Sequence, residues 1–331
     1  MQAKRVFSAC VVTSSLMAMA ACSVSTTPGG DGNKNNGGHD GPVSIGFSLA
    51  TQQSPFYVQL REGTERAAEE AGAELSFADA DGDVAKQNND IQDLITRGVD
   101  ILLVNPVDPQ GVQAGLAAAE AAGVEVVTVD RPVPEGATAQ VGRDNEEMGR
   151  LVGERVAEAL GSEGGKIIEI RGDAGGAVAR DRGAGFHEAL EDVPGVEIVE
   201  GPYCNYVRSE AVTAMQDLLQ ANRDVKVVFA QNDDMALGAL QVLRENGRDD
   251  VLVAGIDGLM EAVNAINDGD QYLATALNDP IDLAQKAVDT AVALGNGEDV
   301  DAEIDAGTAL VDDENAADLV ADTVFASGAT A

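Results

Sequence analysis

Tryptophan is absent from the 331 residues, and aromatic side chains of all kinds make up 3%. Any ring at a strand end is therefore conspicuous. Histidine occurs twice, at His39 and His187, which argues against a histidine metal site and gives acid–base catalysis few candidates. Cysteine occurs three times, at Cys10, Cys22 and Cys204, too few and too scattered for a disulfide framework. Basic residues are scarce, 21 against 57 acidic ones, for a formal net charge of −36. Lys4 and Arg5 sit in the first few residues, so the rest of the chain carries 57 acids against 19 bases. A polyanion of that density repels phosphate backbones, which argues against nucleic-acid binding. The excess acid reads as a solvated surface.

Long apolar runs are also missing. The longest, over 6–21, is interrupted by Thr13, Ser14 and Ser15, follows Lys4 and Arg5, and ends in small residues. That pattern predicts a secretion leader over 1–21 rather than a membrane span. Met19-Ala20-Ala21-Cys22 resembles the lipobox of bacterial lipoproteins, with Met19 where Leu is usual, and predicts lipidation of Cys22. Residues 22–42, rich in Gly, Asn, Ser and Thr, predict the lipidated cysteine and a flexible tether. The protein is thus expected outside the cytoplasm, touching membrane only through its anchor.

Removing leader and tether leaves about 290 residues, enough for two lobes with separate cores. The stretch 225–243, VKVVFAQNDDMALGALQVL, shows the organisation most plainly: a buried strand, a polar cluster, then helical spacing of Met235, Leu237, Leu240 and Leu243. The same rhythm runs from Val43 onward. Strands are expected at 43–49, 73–78, 101–104, 124–129 and 138–141, with helices at 57–71, 84–97 and 110–122. Gly72, Gly98 and Gly123 stand where helix ends need a left-handed residue. A second set follows: helices 146–160, 179–191, 209–221, 235–247 and 281–294, strands 166–170, 197–200, 225–230, 251–256 and 272–277, and a last strand near 304–311. The segment 312–325 reads as an acidic terminal helix. The expected fold class is α/β, two doubly wound parallel-sheet lobes.

Several strand ends carry groups that folding alone does not demand, and ligands of open α/β sheets bind at such ends. Phe56 and Tyr57 follow the first strand and read either as core or as a stacking platform. Asp130 and Arg131 end the fourth and read either as a plain ion pair or as a grip on vicinal hydroxyls. Arg180-Asp181-Arg182 opens a helix, the unfavourable end of the dipole for two cations, which singles out Arg180. Asn232 reads either as a helix cap or as a ligand amide. Asp257 and Asn278 end two later strands. Together these donors, acceptors and rings suit a neutral, hydroxyl-rich ligand better than they suit catalysis.

PFYVQLREG (55–63), DIQDLITRGVDILLVNPVD (90–108), VVTVDR (126–131), ARDRGAGF (179–186), AVTAMQDLL (211–219), VVFAQNDDMALGAL (227–240) and AGIDG (254–258) resemble the periplasmic ribose-binding protein family, sugar-binding lipoproteins of ABC importers sharing their fold with lactose-repressor effector domains. The resemblance covers 43–311. It implies a pocket at Ser54, Phe56, Tyr57, Asp130, Arg131, Arg180, Tyr206, Asn232, Asp257 and Asn278, with Phe56 and Tyr57 on one sugar face and Tyr206 on the other. It also implies three hinge crossings, placed near 142–145, 275–279 and 301–306, so that one lobe is 43–143 plus 279–303 and the other 144–278 plus 304–331. Ser54 stands where ribose binders have Asn, Asn278 where they have Gln, and Tyr57 and Tyr206 where they have Phe. Such exchanges can change the sugar, so D-ribose leads other pentoses, hexoses and polyols. The resemblance further implies ABC permease subunits as partners, a monomer, and no enzyme activity, cofactor or metal. A surface sensor presenting sugar to a receptor would use the same pocket. A transcription regulator would need an N-terminal helix-turn-helix where this chain has leader and tether.

Overall fold

The computed structural model describes residues 41–269 and 271–328, which fall in one compact unit. The expected leader, Cys22, His39 and all but the last two residues of the tether lie outside the described residues. In chain order the elements are β1 (Ser44–Leu49), α1 (Pro55–Ala71), β2 (Glu74–Asp79), α2 (Val84–Arg97), β3 (Ile101–Val104), α3 (Gln113–Ala122), β4 (Glu125–Val129) and β5 (Ala139–Gly142). Then come α4 (Asn145–Leu160), β6 (Gly165–Arg171), α5 (Ala177–Leu190), β7 (Val196–Tyr203), α6 (Arg208–Ala221), β8 (Val225–Ala230), α7 (Asp233–Glu245) and β9 (Leu252–Asp257). The chain continues through α8 (Met260–Asn267), β10 (Tyr272–Leu277), α9 (Pro280–Gly295), β11 (Glu303–Asp305), β12 (Leu310–Val311) and α10 (Ala316–Leu319). Gly72, Gly98 and Gly123 take φ of 70°, 82° and 73°, closing their helices left-handed as their positions demand.

The strands form two sheets of one design, β11-β5-β4-β3-β1-β2 and β12-β10-β9-β8-β6-β7. In each, the first strand lies between the second and third, so strand order reverses beside it. The strands run parallel, except that β12 is antiparallel to β10. Central strands such as β3, ILLV, are buried throughout because helices cover both faces of the sheet.

The run expected as one strand over 304–311 is two. Ile304 and Asp305 pair with Val141 and Gly142 in the first sheet, whereas Leu310 and Val311 pair with Ala276 and Thr275 in the second. β11 thus belongs to the first sheet through Asp305. The helix expected over 312–325 is reduced to α10. Val320 is already extended, and Phe325 instead bridges to Leu259.

The chain passes between sheets after β5, after β10 and after β11. Arg143, in the first passage, ties all three. Its Nε donates to the Gly307 carbonyl (2.7 Å), its terminal nitrogens to the Asp279 carbonyl (3.3 and 3.4 Å), and Nη2 also to the Asp282 carboxylate (2.9 Å).

Candidate functional site

Between the two sheets, beyond the carboxyl ends of their strands, lies a small cavity. It is lined by Ser54, Phe56, Tyr57, Asp130, Arg131, Val178, Arg182, Tyr206, Asn232, Asp257 and Asn278. Nine of the ten residues singled out from the sequence are thus brought together. The first sheet contributes from the turns after β1 and β4, the second from the turns after β6 to β10.

Arg180 is the exception, and its position is a correction. Its side chain is 71% exposed and pairs with neighbouring Asp181 (2.7 Å). Arg182 lies in the cavity instead. Two residues along a helix turn the side chain through about 200°, so 180 and 182 face opposite ways. The signal lay in the glycines that follow Arg182. A Cβ at Gly149 would overlap the Arg182 carbonyl, and one at Gly185 the Glu146 carbonyl, so α4 and α5 pack backbone against backbone and set the depth of Arg182. Its Nε donates to Asn145 Oδ1 (2.9 Å), Nη1 donates to the Gln231 carbonyl (2.6 Å), and the same nitrogen lies 3.4 Å from Asp257.

Asn232 caps its helix and also stands in the cavity wall. Its Oδ1 accepts from the Met235 N–H (3.0 Å), capping α7, and its Nδ2 donates to the Tyr206 carbonyl (3.3 Å) while the residue lines the cavity. Asn278 donates to Asp257 Oδ1 (3.0 Å). Asn105, passed over in the sequence, donates to the Asp130 carboxylate (3.3 Å) and to the Val129 carbonyl (3.0 Å).

The rings arrange differently from a plain sandwich. Phe56 and Tyr57 pack edge to face at 5.4 Å between centroids. The Arg131 guanidinium stands 5.6 Å from the Tyr57 ring centre and 5.9 Å from that of Tyr206, so it lies near both rings. Both phenol oxygens are engaged by protein groups. Tyr57 accepts from Arg131, and Tyr206 donates to Asp173 Oδ1 (3.0 Å).

Charge in the cavity is poorly solvated. Burial pushes the Asp257 carboxyl up to about 7, against the pull of Arg182 and with the push of Asp233. Burial also raises Asp130, opposed by Arg131 and Arg182. Burial works against the charge on Arg131, yet Tyr57, Asp173, Tyr206 and Asp130 together hold it above the ordinary guanidinium value. Behind Asp257, buried Asp233 accepts from Tyr272 (2.6 Å), Thr275 (2.9 Å) and the Leu259 N–H (2.8 Å), and burial raises it to about 6. Backbone strain gathers here too: of five non-glycine residues with positive φ among those described, Asp130 (66°), Tyr206 (62°) and Asp257 (133°) line the cavity. One hydroxyl in the wall, Ser54 Oγ, is buried and has no hydrogen-bond partner.

Residues 45–299 match the family model for the periplasmic binding protein domain. The ribose import binding protein of Bacillus subtilis is 35% identical over 297 residues, 89% of this chain and 95% of that protein. Among solved structures, an ABC transporter solute binding protein from Mycobacterium smegmatis, with bound glycerol, is 62% identical with a TM-score of 0.86, covering 87% of this chain and 100% of that one. Another Mycobacterium smegmatis structure, in complex with β-D-fucofuranose, is 30% identical with a TM-score of 0.80, covering 84% and 94%. With strand order, cavity position and sequence in agreement over most of its length, this chain belongs to the periplasmic binding protein family.

Proposed function

We propose that the protein is the solute-binding component of a sugar ABC importer, holding an uncharged monosaccharide, D-ribose first, between its lobes and releasing it unaltered. It is a binding protein and not an enzyme. Asp130 and Asp257 accept hydroxyl protons, Arg182 and Asn278 donate, and Asn232 offers the amide hydrogen that its bond to Tyr206 leaves free. Phe56 packs against the C–H face. The observation that carries this reading is the Ser54 hydroxyl, buried and unpartnered in a wall of carboxylates and guanidinium groups. A buried polar atom is costly unless a partner meets it, and a sugar hydroxyl is such a partner. Because the ligand touches both lobes, it favours the closed arrangement over an open one.

A thermal-shift screen against pentoses, hexoses and polyols tests the reading, since a solute that binds only the folded protein raises Tm. D-ribose should give the largest shift, and no shift with any monosaccharide would contradict it.

The family acts outside the cytoplasm. The finer expectation is an anchor at Cys22, supported by Met19-Ala20-Ala21-Cys22 and the glycine-rich stretch behind it. Metabolic labelling with a palmitate analogue should mark the wild type and not Cys22→Ser, which should be released from the membrane. A variant that stays bound would contradict the anchor.

A further inference from the structure

A chain of polar contacts crosses between the lobes at one end of the cavity. Arg131, from the first lobe, donates to the Tyr57 hydroxyl and through Nη1 to the carbonyls of Pro106 (3.2 Å) and Val107 (3.3 Å). The same nitrogen lies 3.3 Å from Asp173 Oδ2, in the loop after β6 of the second lobe. The other Asp173 oxygen accepts from the Tyr206 hydroxyl at 3.0 Å. Asp173 does not itself line the cavity. It stands behind Arg131 and Tyr206, between them and an outer depression that includes Arg171, His187 and Tyr203.

The loop is shaped for this contact. A Cβ on Gly172 would overlap the Tyr206 ring, and one on Gly176 would overlap the Asp173 carboxylate. The Gly172 N–H donates to Gln231 Oε1 (2.8 Å), which fixes the loop against β8. Tyr206 reaches Asp173 from a left-handed backbone, φ 62°, a conformation that costs energy in a residue with a Cβ.

We propose that Asp173 is a specificity-determining residue: by bridging Arg131 and Tyr206 across the lobes it closes the outer end of the cavity and limits the ligand to pentose size. The inference rests on the sugar-binding reading and deepens it. Nη1 of Arg131 is committed to two carbonyls and Asp173, and Nη2 to Tyr57, so this wall is held by protein groups and yields little to a ligand. A hexose in the ring form carries a hydroxymethyl group beyond the ring, and needs space where the bridge stands. Breaking the bridge would strip buried Arg131 of a charged partner, a loss that one added hydroxyl does not restore, while Asp173 stays partly open to the outer depression. Every group in the bridge belongs to the protein, so it draws the lobes together without help from a solute.

Two measurements on the full chain test this. The first is calorimetric titration of wild type, Asp173→Asn and Asp173→Ala with D-ribose and with D-allose, which is D-ribose extended by one carbon. Wild type should favour D-ribose about tenfold or more, the range that one carbon in a fitted pocket provides. Asp173→Asn keeps the volume of the wall and should weaken both sugars while preserving the preference. Asp173→Ala removes the group that holds Arg131 and Tyr206 together, so the wall they form can part, and its preference should fall towards one. A wild-type ratio retained in Asp173→Ala, or a wild type that favours D-allose, overturns the proposal. The second is the distance between spin labels on the two lobes in ligand-free protein, where wild type should show a closed population that Asp173→Ala reduces. Identical distributions, or a wild type wholly open, overturn the bridge. If wild type binds no monosaccharide, the sugar reading fails, and the spin-label comparison still decides whether the bridge exists.

Discussion

The two lobes share one strand order but treat the cavity differently. The first reaches it from two turns, with two rings, a hydroxyl and the Asp130–Arg131 pair. The second reaches it from five turns, and its polar groups are held by a buried scaffold: Asp233 behind Asp257, Gln231 behind Gly172, and Asn145 and the Gln231 carbonyl on Arg182. The contrast is one of degree: in the first lobe Asn105 backs Asp130 and the Pro106 and Val107 carbonyls hold Arg131, whereas the second lobe brings more fixed polar groups to the cavity, so under the proposed function it carries the larger share of ligand orientation. Pre-set donors and acceptors discriminate hydroxyl geometry far more sharply than apolar contact does.

The sharpest way to break that contrast is to remove one group from each side. Asp257→Ala should lower D-ribose affinity at least about 100-fold, since it deletes an acceptor and leaves Arg182 buried with one partner fewer. Phe56→Ala should lose only about tenfold, the worth of one ring face. Calorimetry giving equal losses would erase the distinction between the lobes.

A second test uses pH. Asp257 is ordinarily ionised near 3.8 and is raised to about 7 in the folded protein, with Asp233 raised to about 6 in support. A carboxyl that holds its proton more tightly when folded stabilises the fold fully below about pH 4 and loses that contribution as pH climbs through 7. Wild-type Tm should therefore fall between pH 5 and pH 8, and Asp257→Asn should fall less. Parallel slopes would show that Asp257 is not poorly solvated.

Smaller effects sharpen the picture at the hinge and the first lobe. Arg143→Ala unties the three passages and should cost about 1–3 kcal/mol of stability by chemical denaturation, because the carbonyls of Gly307 and Asp279 lose a charged donor. Ser54→Ala should change ligand-free stability by no more than a few tenths of a kcal/mol, since its hydroxyl has no partner, while weakening the sugar by about 1 kcal/mol. A stability loss larger than the binding loss would mean that the hydroxyl serves the fold.

Most of the architecture was legible because strand, polar turn and amphipathic helix recur with so little interruption. Strands such as Ile101–Val104 and Val227–Ala230 of β8 announce themselves by continuous apolar runs. The 304–311 segment was read as one strand, although Asp305 and Gly307 interrupt its apolar residues; Gly307, at φ 72°, turns the chain there and the two ends join different sheets. At the site, the residues that end strands were readable from position alone. Arg180 and Arg182 were not, since choosing between them needs the rotation of α5, which close glycine contacts with α4 set. Asp173 and Arg143 escaped for a further reason: their partners, Arg131 and Tyr206, Asp279 and Gly307, are distant in sequence and are brought to them only by the tertiary fold.

In the proposed function an uncharged sugar is gripped between the lobes, mainly by the second lobe's fixed polar groups. Calorimetric titration of D-ribose into wild type and Asp257→Ala tests it most directly. Wild type should bind at micromolar affinity, about −8 kcal/mol, and Asp257→Ala, shown folded by its Tm, at least about 100-fold more weakly. Equal affinity in the two proteins would contradict it.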